Sequence, residues 1–148
     1  MDQKSPFPIF HMHFRGMLLL AGMYTIAWSA FFKWFGPALM EWFAMGTGNI
    51  DGLPTNWYGS IGLIFGFLIF ISAFYPVSWV YLIIAGIGGK IILASWFALG
   101  FLPDLTWNKR TAFHLIFNEI FWLIPLTIVF LRALQVKSYL EKNEIDEN

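Results

Sequence analysis

Residues 79–101 read WVYLIIAGIGGKIILASWFALGF. This run decides the fold class. Crossing the hydrocarbon core of a bilayer takes about 20 mostly apolar residues in a helix, and the run is interrupted by a single charge, Lys90. It is about twice as long as a membrane β-strand and does not alternate apolar with polar residues. A helix supplies every backbone amide with a partner inside its own segment, which lipid demands. Residues 79–101 therefore read as a transmembrane helix.

Three further runs share this character, at about 14–35, 57–75 and 112–131. The expected fold is all-α, an integral membrane bundle of four transmembrane helices in antiparallel up-down topology. It forms a single domain over residues 1–148, and a polar tail, 137–148, extends the fourth helix before fraying. Composition agrees: 58% of the chain is hydrophobic, 20% aromatic and only 12% charged, against about 25% charged in an ordinary soluble domain. In water so much apolar surface would form large exposed patches; lipid satisfies it.

The connections order the spans. Pro76 between the second and third predicts a tight hairpin of adjacent antiparallel helices, and Pro103 and Asp104 open the loop before the fourth. In the longer connection at 36–56, PALMEWFAMG reads as a short interfacial helix with Trp42 and Phe43 dipping into lipid, followed by a glycine-rich turn. Asp51 and Asp104 read as turn formers.

Four spans put both termini on one side. That side carries Lys4, Arg15, Arg132, Lys137 and Lys142, and the other Lys33, Lys109 and Arg110. The bias places both termini in the cytoplasm of a multi-pass plasma-membrane protein. Trp34, Trp42, Trp57, Tyr58 and Trp107 then form an outer aromatic belt, with Tyr75 and Trp79 in the inner one. Lys33, near the end of the first span, snorkels. The first apolar run is too long for a signal-peptide core and no small-x-small pattern follows it, so no cleaved signal is expected.

Ionisable residues at membrane depth are costly, usually face protein, and have a partner or a task. Lys90 and Glu119 are such residues. Lys90 shares a face with Gly86, Ala94 and Ala98, the small residues at which membrane helices approach closely. It lies about 11 residues before the end of its span and Glu119 about 7 residues into the next, so their depths differ by about 6 Å. A lysine stem covers that distance, and a Lys90–Glu119 ion pair is expected. As structural glue the pair fixes helix register; as a functional group it relays protons or anchors an anion.

Around it, HLIFNEIFWLIP puts His114, Asn118 and Trp122 at four-residue spacing, and Pro125 then removes a backbone hydrogen bond, freeing the carbonyl of Phe121. The polar cluster of Lys90, Glu119, Asn118, His114 and Trp122 either holds the bundle together through hydrogen bonds across helices or lines a ligand pocket. Trp28, Trp96 and Trp122 read as packing residues. Gly62 and Gly66 form a GxxxG motif for close contact within the bundle or with another subunit. The second span carries no charge, which suits it to face lipid or an apolar partner.

Several chemistries are set aside. A net charge of zero gives no basic field for nucleic acid. Zero cysteines leave no disulfide, thiolate metal site or cysteine nucleophile. His11 and His13 lie at the terminal side of the first span and His114 near the opposite face, so the three cannot converge on a metal and read as no site. No Walker, G-x-S-x-G, H-E-x-x-H or dinucleotide motif occurs, and no cofactor or catalytic residue is assigned.

The Arg15-Gly16 start, the glycine-containing first span with Lys33 near its end, and the NEIFWLIP string at 118–125 resemble the DoxX-like small four-helix bacterial inner-membrane proteins. The resemblance implies the same topology in a bacterial inner membrane. Some members are associated with membrane redox systems. The absence of any cysteine pair departs from a thiol-oxidising relative.

Two functional readings follow. One is a non-catalytic accessory or scaffold component, packed against partner subunits or a second copy of itself within membrane lipid. The other is a binding or transport protein holding a lipid, quinone or small anion at Lys90 and Glu119. A membrane enzyme using Glu119 or His114 for proton transfer ranks third.

Overall fold

The computed structural model describes residues 8–146, so Lys4 lies outside the described residues. All secondary structure within them is helical. The elements are α1 (Met12–Trp34), α2 (Gly36–Ala44), α3 (Thr55–Ser72), α4 (Val80–Trp96), α5 (Leu102–Leu105), α6 (Lys109–Phe113) and α7 (Phe121–Asp146). A π-helical turn at Phe97–Phe101 joins α4 to α5, and a longer one at His114–Ile120 joins α6 to α7. Four continuous helices are long and apolar enough to cross a membrane: Met12–Trp34, Thr55–Ser72, Val80–Leu105 and Lys109–Asp146.

Each π-helical stretch lies just upstream of a proline, Pro103 or Pro125. A proline ring clashes with the carbonyl four residues back and donates no hydrogen bond. Widened turns absorb that misfit without ending the helix. Pro103 therefore does not open the loop; the helix continues through Asp104 to Leu105 before the chain turns at Thr106.

Small residues set the packing of α1 on α3. A Cβ on Gly22 would stand 2.6 Å from the backbone nitrogen of Phe70, and one on Gly59 would stand 2.5 Å from the backbone of Lys33 and Ser29. Gly62 accommodates Ser29, and Gly66 accommodates Ile26 and Thr25. The contacts pair residues in opposite sequence order, 22 with 70 and 33 with 59. The GxxxG motif is thus used inside the chain. On the other side of α3, Ile69 covers Gly86 and Phe65 covers Gly89 of α4.

Two apolar clusters form the core. One contains Leu18, Ile69, Ile83, Trp122 and Leu126, and the other Phe32, Met40, Phe43, Phe97 and Phe101. Phe43 corrects the interfacial reading of α2: it is fully buried, whereas its neighbour Trp42 is 40% exposed. Met40 and Phe43, one helical turn apart, turn α2 inward over the end of the long helices. The loop after α2 takes positive φ at Met45, Gly46, Gly48 and Gly52, and Asn49 donates its backbone N–H to the carbonyl of Asp104 at 3.2 Å. Asn108 caps α6 in a capping box with Thr111 and donates its side-chain amide to the carbonyl of Phe43 at 2.7 Å. The outer surface is rich in exposed apolar side chains, among them Leu20, Phe67, Ile91, Leu99 and Ile124.

Candidate functional site

Between the two apolar clusters lies a closed set of polar side chains. Lys90 comes from α4, Tyr58 from α3, Tyr24 from α1, and His114, Asn118 and Glu119 from the π-helical stretch. Lys90, Tyr58, Asn118 and His114 are each at most 1% exposed and Glu119 is 3% exposed. Lys90 Nζ donates to Glu119 Oε2 at 3.2 Å and to the backbone carbonyl of Asn118 at 2.8 Å. The expected pair therefore forms. The backbone carbonyl that Lys90 reaches is that of Asn118, seven residues before Pro125.

The remaining bonds run in one direction. Tyr24 donates its hydroxyl to Asn118 Oδ1. The Asn118 side-chain nitrogen then faces His114 Nδ1 at 3.0 Å and, being a donor only, makes that ring nitrogen the acceptor. A neutral imidazole so arranged carries its proton on Nε2, which lies 3.2 Å from Tyr58 Oη and 3.7 Å from Glu119 Oε1. Tyr58 passes its own proton donor to the carbonyl of Leu93 at 3.3 Å.

Aromatic rings close the site. The His114 ring centroid is 4.4 Å from that of Phe97, 5.1 Å from Phe32, 5.3 Å from Phe43 and 5.7 Å from Trp28. Trp122 packs on Tyr24 with centroids 5.4 Å apart, but its Nε1 is buried with no hydrogen-bond partner, as is the Thr25 hydroxyl. It borders the cluster without joining its hydrogen bonds.

Two members were not singled out from the sequence. Tyr58 was expected in the outer aromatic belt, and the structure corrects this: it is 1% exposed. The signal was its spacing, four residues before Gly62, which places it on the buried glycine face of α3. Tyr24 carried a weaker signal, a phenol inside an apolar run, whose hydroxyl needs a partner when buried. Trp34, Trp57 and Trp107 are exposed, as are Tyr75 and Trp79. Lys33 donates to Ser60 Oγ at 2.6 Å.

His11 and His13 stack on each other with centroids 5.3 Å apart, while both ring nitrogens of His114 are engaged by Asn118 and Tyr58. Among the described residues no three His, Asp or Glu side chains converge as a metal ion requires. No protein-family model, curated protein or solved structure matches the chain.

Proposed function

We propose that the chain is an integral membrane protein of the bacterial inner membrane, crossing it four times as an antiparallel up-down bundle with both termini in the cytoplasm, and serving as a non-catalytic accessory or scaffold subunit of a membrane complex. The observation that carries this reading is the closure of the polar cluster. Five side chains at most 3% exposed use their hydrogen-bonding groups on one another and on backbone carbonyls. A network enclosed in this way specifies one packing of the helices, with its members turned toward one another and away from the surface. The bacterial inner membrane is taken from the DoxX-like resemblance. The exposed apolar surface suits lipid and a protein partner alike.

A second reading, a pocket for a lipid, quinone or small anion at Lys90 and Glu119, draws support from the groups left over. Lys90 has three N–H donors and spends two of them; Trp122 Nε1 and the Thr25 hydroxyl are buried without partners. Native mass spectrometry of protein gently extracted from its own membrane separates the two. A stoichiometric protein partner, or a second copy, upholds the accessory reading. A retained small mass that disappears in Lys90→Leu replaces it with the binding reading.

A further inference from the structure

Where α1 meets α2, an open groove of about 170 Å³ is lined by Trp28, Phe31, Leu39 and Trp42. Every lining side chain is apolar or aromatic, so a water-soluble ligand gains little there. At Trp42 the character changes. The Arg110 guanidinium lies over the indole, 4.8 Å from the ring centroid, and donates to the Trp42 carbonyl at 2.7 Å. Stacking and hydrogen bond together fix the guanidinium at one end of the groove. Exposed Lys109 precedes it in the chain.

Among the described residues neither cation is held in an ion pair like those of Lys90 and His114 with Glu119. Glu41, next to Trp42 in sequence, turns to a separate cavity with Ile50 and Asp51. Most of the five guanidinium donors of Arg110 therefore remain for an outside acceptor. A fixed guanidinium fork matches the geometry of a phosphate, and indole rings sit at headgroup level in membranes.

We infer that this is a binding site for an anionic phospholipid. The phosphate lies on Arg110 and Lys109, and an acyl chain runs along Trp28, Phe31, Leu39 and Trp42. Charge complementarity selects an anionic headgroup over a zwitterionic one, and the adjoining groove selects a lipid over a soluble phosphate. The site rests on the membrane reading above but not on the role assigned to the polar cluster.

The test is a titration of detergent-purified protein with phosphatidylglycerol and with phosphatidylcholine of the same acyl chains, read by native mass spectrometry. The expected result is one preferred site, favouring phosphatidylglycerol on the order of tenfold and weakening as salt is raised. Lys109→Gln, an exposed change that leaves Trp42 untouched, lowers the preference in part; the double change Lys109→Gln, Arg110→Gln abolishes it. Lys137→Gln, over Tyr81 and away from the groove, leaves it intact. A short-chain phosphatidylglycerol binds more weakly, because the groove is left empty.

Equal binding of the two lipids, or a preference that survives the double change, overturns the site and leaves the membrane reading standing. Recovery of the protein in the soluble fraction without detergent overturns both.

Discussion

Lys90 and Glu119 meet where an isolated charge is least tolerable, and their bond should dominate the effect of substitution. Lys90→Leu or Glu119→Leu leaves one buried charge without its partner, at a cost of about 3–5 kcal/mol. The double change removes both charges and should be less destabilising than either single one, as read by thermal unfolding in detergent. A double variant no more stable than the singles would reject the pair as the cause. Tyr58→Phe deletes the hydroxyl that His114 Nε2 faces at 3.2 Å, and should cost about 1–3 kcal/mol while keeping the helical content. No loss of stability would mean that the hydroxyl contributes nothing to the network. This pair was legible in the sequence because span length converts position into depth. Tyr24 and Tyr58 were not, because depth does not say which side of a helix faces protein, and a phenol suits an interface as well as a buried bond.

Helix contacts depend on the missing side chains of particular glycines, which makes glycine substitutions unequal in a predictable way. Gly59→Ala sets a methyl group 2.5 Å from the backbone of α1. Backbone cannot move aside as a flexible side chain can, so a loss of about 1–3 kcal/mol is expected. Gly16 and Gly88 have open space at the same point, and alanine there should be neutral or stabilising by up to about 1 kcal/mol. Thermal unfolding of the three variants checks the ranking; equal effects would mean that α1 and α3 do not touch through their backbones. At this scale the long apolar runs were readable, since length and hydropathy alone mark them. The π-helical stretches were not: Pro103 and Pro125 signal a misfit, but the sequence does not say whether the helix ends, kinks or widens. Phe43 was misplaced for a related reason. An apolar residue in a nine-residue helix reads equally well as facing lipid or core, and only the packing against Phe32 and Phe97 decides.

Among the described residues the cations other than Lys90 gather at two ends. Arg15 reaches the carbonyl of Phe74 at 3.5 Å, Arg132 that of Ile9 at 3.1 Å, and Lys137 lies 4.9 Å from the Tyr81 ring centroid. These contacts bring the start of α1, the 73–79 connection and the middle of α7 to one end. Lys33 and Arg110, held at Ser60 and Trp42, belong to the other, with the 45–54 loop. Translocating a basic flank is disfavoured, so the end with more Lys and Arg should stay in the cytoplasm. With zero cysteines in the chain, one introduced thiol reports one position without background. Asp51→Cys, exposed in the loop, should react with a membrane-impermeant maleimide on intact cells, whereas Lys142→Cys, on the exposed end of α7, should react only after permeabilisation. Reaction of both from outside would reject the up-down arrangement, because the two positions would then share a side. The reverse pattern would keep that arrangement and invert it, which would mean that the modest excess of cations near the termini does not set the orientation.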